Sequence, residues 1–164
     1  MRTIGFFGGP TISELGPVAD VQLFFDCINS LVVPAAPDRN WSLLTDRLYR
    51  RYLRREELVP AQALMDEVQT RFSTIPSSTV NWSNITTSAA VSRLDPSKAT
   101  LAEVFSAYFD RFARCRESAE IFFHTWQSYQ PLKIVIVDLP DSVTDQDRLP
   151  EEYESLEGEP FWKG

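Results

Sequence analysis

The chain has 164 residues, 43 % of them hydrophobic, and a formal net charge of −7, a length that fits one domain around one core. Its N-terminal MRTIGFFGGP breaks at Gly8, Gly9 and Pro10 before a secretory apolar region can form, and no apolar run approaches the roughly 20 residues of a membrane helix, so the expectation is a cytoplasmic protein with no membrane partner. Charge is uneven: residues 1 to 137 hold 14 basic and 14 acidic side chains, whereas Asp138, Asp141, Asp145, Asp147, Glu151, Glu152, Glu154, Glu157 and Glu159 face only Arg148 and Lys163 in the last 27 residues, which carry the whole −7.

The β-branched and aromatic TIGFF, residues 3 to 7, predicts a short strand stopped by GGP. From Pro17, the apolar positions Val18, Val21, Phe25, Ile28 and Val32 step as one face of a helix that ends before Pro34. PAAPDRN reads as a loop. A second helix from about Trp41 carries Arg47, Arg50, Arg51, Arg54 and Arg55, and a third begins near Pro60 and buries Ala61, Leu64, Met65, Val68 and Phe72. Residues 73 to 100 contain 12 Ser or Thr and read as an irregular connection with room for one short strand at VNW, residues 80 to 82.

Thr100 and Glu103 form a capping box before the longest helical signal. Its apolar positions Leu101, Phe105, Tyr108, Phe112, Cys115, Ala119, Phe122, Trp126 and Tyr129 alternate steps of four and three. That heptad pattern fits a coiled-coil dimer, but its aromatic content suits one long central helix in a globular core better. LKIVIVDLP then predicts a strand buried on both faces and paired with the first. A last helical signal, LPEEYESLEG, lies in an acidic tail over 141–164 that is expected to dock. The predicted fold is a single α+β domain over 1–140, with about four helices, one of them long and central, on a small two- or three-stranded sheet.

Chemical motifs are scarce. His124 is the only histidine and reads as a core or boundary residue, leaving nothing to build a Ser-His-Asp triad or a two-histidine metal site. GFFGG lacks the spacing and lysine of a phosphate loop. Asp138, Asp141, Asp145 and Asp147 could cradle Mg²⁺, yet they lack the glycine and terminal glutamate of an EF-hand. Cys27 and Cys115 read as reduced core residues. The sequons at Asn40, Asn81 and Asn84 need a secretory route and carry no weight. The expectation is therefore no catalytic residue, no metal, no cofactor and no small-molecule substrate: a binding protein rather than an enzyme.

On a regular helical wheel the five arginines occupy one outward stripe, with Asp46 placed to pair with Arg50. The stripe reads first as a solvated face. It could also grip carboxylates on a partner or on the chain's own tail. Phosphate binding is a third reading, disfavoured by the acidic whole.

Residues 43 to 82, LLTDRLYRRYLRREELVPAQALMDEVQTRFSTIPSSTVNW, followed by LAEVFSAYFDRFARCRESAEIFF and LKIVIVDLP, resemble in order and length the central part of a family of bacterial immunity proteins. These neutralise the toxic C-terminal domains of polymorphic toxins, including those of contact-dependent growth inhibition systems. The uncharged NWSNITTS and the acidic tail depart from that pattern, and no site residue transfers from it. The resemblance implies a cognate toxin domain, often a nuclease, as partner. Charge then points to Asp141, Asp145, Asp147, Glu151, Glu152, Glu154 and Glu157 as the binding surface, with Tyr153, Phe161 and Trp162 as apolar anchors. Arg47, Arg50, Arg51, Arg54 and Arg55 are the alternative surface, for a nucleic acid or a regulatory partner.

Overall fold

In the computed structural model, residues 2–86, 91–138 and 158–163 are described. Strand β1 (Ile4–Gly8) turns through Gly9 and Pro10 into β2 (Thr11–Gly16). The sequence reading missed β2, although its turn was on view. A positive φ of 57° at Gly9, followed by the negative φ that proline imposes, is the sign pattern of a type II′ hairpin. β3 (Lys133–Ile136) pairs antiparallel with β1 on the other side, Phe6 opposite Ile134. The sheet order is β2-β1-β3, and the expected pairing of the first and last strands holds. One extra residue in β2, Leu15, shifts the register between Ile4 and Gly5 and is itself buried.

Helix α1 (Val18–Cys27) runs on through a π-helical turn, Ile28–Val32, and a 3₁₀ turn, Val33–Ala35. The segment Val18–Ala35 is apolar and long enough to cross a membrane by length and composition alone. In the fold its Val21, Phe24, Phe25, Ile28 and Val32 are buried among other side chains. A second π turn, Leu43–Leu48, precedes α2 (Leu58–Phe72), which buries the residues that its spacing singled out. The 73–100 connection forms a 3₁₀ turn at Ser77–Thr79 and a short helix α3 (Ser83–Thr86). No strand forms at 80 to 82. Instead the Trp82 indole N–H bonds Ser77 O at 2.8 Å and its ring packs on Phe105.

The long helix is split. Thr100 caps α4 (Leu101–Val104), accepting from the Glu103 N–H, while the Glu103 carboxylate turns back to Ala99 N–H. The backbone then leaves the helical ψ at Phe105 (φ −100°, ψ 17°) and resumes as α5 (Ser106–Trp126). Neither Gly nor Pro marks the break. Phe105 is fully buried in an aromatic cluster around Phe24, whose ring lies 4.7 to 6.1 Å from those of Tyr108, Phe105, Phe25, Phe109 and Phe72. Such contacts add about 0.5–1.5 kcal/mol each beyond the area they bury. The heptad stripe is core from Leu101 to Ala119, and beyond that the helix outruns the core, leaving Trp126 68 % exposed. Cys27 and Cys115 are buried free thiols, and burial pushes Cys27 up to about 12.

One buried carboxylate organises a loop. Asp20 in the first turn of α1 is 0 % exposed and accepts the Arg93 N–H at 2.8 Å. It thereby pins the end of the Ser/Thr-rich connection beside Gly16, while the Arg93 guanidinium reaches Glu14 at 3.0 Å. Burial raises the Asp20 pKa above 3.8, and the bonds from Arg93 and Ser92 oppose that only in part. The folded state therefore holds this proton more tightly than the unfolded chain does. The associated stability is complete below 3.8 and is lost as pH rises to the raised value. Asp20→Asn should flatten that part of the profile, as measured by urea unfolding at a series of pH values.

The sheet touches α5 through glycine. A Cβ on Gly8 would collide with Cys115 O, and one on Gly9 would come within 2.6 Å of Ser118 O. Gly158 has φ 78° but open space around it. Gly8→Ala is expected to cost about 2–3 kcal/mol through overpacking, and Gly158→Ala about 1 kcal/mol through its left-handed backbone. Urea midpoints of the two variants check that order.

Candidate functional site

The arginine segment and the C-terminus meet. The chain is helical only to Arg50, turns at Arg51, and extends so that Leu53 N–H bonds Leu132 O at 2.8 Å beside the sheet. Arg54 and Arg55 thus lie beyond the helix, at the start of the 3₁₀ turn Arg55–Glu57, whose Glu57 carboxylate accepts the Arg54 N–H at 2.8 Å. The outward stripe expected from a regular wheel does not form. The winding before Arg50 is π-helical, with wider turns than the wheel assumes, and the bridge to Leu132 ends the helix.

The guanidiniums are engaged within the chain instead. Arg47 lies 3.5 Å from Glu57 with only 12 % of its side chain exposed. Arg50 and Arg51 share Asp46 at 2.9 and 3.4 Å, close enough for ion pairing although their Nε–H groups are not aligned for a hydrogen bond. Arg55 stacks 3.9 Å above the Phe123 ring. The pairing of Asp46 with Arg50 is as expected, whereas the carboxylates that Arg47, Arg50 and Arg51 meet here lie in the same segment rather than in the acidic tail that the sequence reading named.

Residues 158–163 dock onto this segment. Arg50 donates to Gly158 O at 3.2 Å. Trp162, in a 3₁₀ turn with Phe161 and Lys163, is 1 % exposed. Its indole N–H bonds Tyr49 O at 2.8 Å, and its ring meets the Tyr49 ring edge-on at 5.6 Å. Trp162, expected to be an apolar anchor for a partner, is a plug in this chain's own core, with its ring already covered. Phe161 is half-buried beside it. Asp141, Asp145, Asp147, Glu151, Glu152, Tyr153, Glu154 and Glu157, with the helical signal LPEEYESLEG, lie outside the described residues. Asp138 accepts the Thr3 N–H at 2.7 Å at the end of β3.

The end of α5 presents a surface that the sequence reading did not single out. Ile121 (57 % exposed) and Trp126 (68 %), with Phe122, Ser118, Thr125 and Pro10 of the hairpin turn, line an open apolar groove of about 330 Å³, with Arg114 and Glu117 at its rim. The signal was the heptad register itself, which runs further than the sheet and the shorter helices can cover. His124, expected in the core or at its boundary, is exposed on this end of the helix with its ring edge toward Phe123. Among the described residues no group of three His, Cys, Asp or Glu side chains could hold a metal ion.

No protein-family model, curated protein or solved structure matches the chain.

Trp162→Ala removes a buried indole and its hydrogen bond, and should cost about 3–5 kcal/mol of stability. Trp126→Ala, at an exposed site, should stay within about 0.5 kcal/mol of the parent. Denaturant titrations of the two variants compare a structural tryptophan with an exposed one.

Proposed function

We propose that the chain is an immunity protein, one that binds and neutralises a cognate toxin domain in the cytoplasm of the cell that makes it. The observation that carries the reading is that the last 27 residues hold the entire net charge of −7 while the remainder is balanced. A nuclease must be basic to hold phosphates, so a nuclease toxin would be steered toward such a region and would have its substrate-binding cations occupied by it. The resemblance of residues 43 to 82 and of the later helix and strand to immunity proteins supports the same class of function. The apolar contact that charge alone lacks falls to the groove around Ile121 and Trp126, since Trp162 is spent inside the fold.

The alternative, nucleic-acid binding through Arg47 to Arg55, draws no support from guanidiniums that face Asp46, Glu57 and Phe123. Binding of RNA by the isolated chain, falling steeply with salt, would revive it.

The deciding experiment is co-expression with the C-terminal toxin domain encoded beside the chain. A stoichiometric complex on affinity purification and restored growth of the host are expected, while neither complex nor rescue overturns the reading. Within the complex, reversing Glu151, Glu152 and Glu154 to lysine should slow association by about tenfold or more at low salt, with a smaller effect at high salt. Stopped-flow kinetics at two ionic strengths read that out, and an unchanged rate at low salt removes the tail from the interface.

A further inference from the structure

Helix α5 turns one side to the core and the other to water. Successive residues on a helix step round by about 100°. Arg114, Glu117, Ile121, His124 and Thr125 therefore share the face opposite the buried Tyr108, Phe112, Cys115 and Ala119, and all five are exposed. Ile121 also lines the groove with Phe122, Trp126 and Pro10.

The order of residues along that face decides what can cover it. Glu117 lies one turn before Ile121, and His124 and Thr125 lie one turn after it; Arg114 stands two turns before, and Trp126 ends the helix. A second α5 laid antiparallel across Ile121 brings Ile121 against its own copy, Glu117 beside His124 and Thr125, and Arg114 beside Trp126 and the last turn. Each meeting is favourable. A carboxylate accepts from an imidazole N–H and a threonine hydroxyl, and an arginine stacks on an indole and complements the negative end of a helix. The last turn of α5 holds no lysine or arginine of its own, His124 being its one basic residue. Within one chain, Arg114 and Glu117 enter no ion pair among the described residues, whereas Arg116 between them lies 3.4 Å from Glu120. A parallel pair, by contrast, would set Glu117 on Glu117 and Arg114 on Arg114.

We propose that the free chain forms a two-fold homodimer through the outward face of α5, antiparallel about Ile121. The two-fold axis repeats every polar match on either side of one apolar centre. A contact one helix wide belongs with the weak interfaces rather than the obligate ones, so a tighter-binding partner can displace the second copy from the same groove. The dimer does not depend on the immunity reading and is tested without a toxin.

Sedimentation equilibrium of the full chain should show monomer and dimer exchanging with a Kd of about 100 µM or tighter. A monomer throughout that range overturns the proposal and leaves the groove to a different protein. Ile121→Asp, which sets two carboxylates on the axis, should weaken the dimer about tenfold or more, with an unchanged circular dichroism spectrum showing that the fold is kept. On mild oxidation Ile121→Cys should link into a covalent dimer, whereas Val59→Cys, at an exposed apolar position on α2, should not. A dimer indifferent to Ile121→Asp, or equal linking of the two cysteine variants, puts the contact elsewhere and also overturns the proposal.

Discussion

The fold depends on how closely the β1–β2 hairpin approaches helix α5. At Gly8 and Gly9 the strand backbone lies directly against the Cys115 and Ser118 carbonyls, closer than any side chain would allow. Around that contact, the Thr11 and Ser118 hydroxyls bond at 2.7 Å, the Cys115 thiol points at Phe6 O at 3.7 Å, and the Phe6 ring meets Phe112 edge-on at 5.6 Å. Once the hairpin is fixed there, β3 has an edge to join and α1 enters at Gly16 with Phe24 aimed into the aromatic cluster. The same contact sets where α5 stops being covered, because the hairpin turn at Pro10 is the last part of the sheet that reaches it.

The arginine segment shows how a basic run can be structural in an acidic protein. Asp46 and Glu57 lie within the same stretch as Arg47, Arg50 and Arg51, so the charges are matched locally. Their half-buried setting makes such pairs worth more than fully solvated ones, though the pairs stay modest. Their larger role is geometric. Arg50 meets Gly158 O, and Tyr49 one residue earlier supplies both a carbonyl and a ring to Trp162. Asp138 is held by the Thr3 N–H just after β3, and Trp162 is held by Tyr49.

Two features thus stand apart from what folding requires: the concentration of acid side chains toward the C-terminus and the apolar groove at the end of α5. The proposed immunity function would use both, one for long-range attraction to a basic partner and the other for short-range contact. Arg114 and Glu117 at the groove's rim are of opposite sign, so the groove itself carries little net field and any steering falls to the acidic region.

Much of the fold was legible in the sequence because periodicity reports burial directly: α1, α2, the core part of the Leu101–Ala119 stripe, the first and last strands and their pairing, and the buried reduced cysteines. The hairpin partner β2 was missed because the faces of TISELG run against its pattern, with Ile12 40 % exposed and Ser13 buried, although Gly9-Pro10 was a usable turn signal. For the candidate site, sequence established composition: where the acids are, that the arginines cluster, and that no familiar catalytic motif is present. Tertiary structure decided orientation. It broke the arginine helix to let Leu53 join Leu132, broke the long helix at Phe105 to fill an aromatic cluster, drew Trp162 into the core, and left Ile121, His124 and Trp126 outside it. Periodicity records which residues share a face of an element, but whether that face is covered depends on where other elements end, and that is fixed only when the whole chain packs.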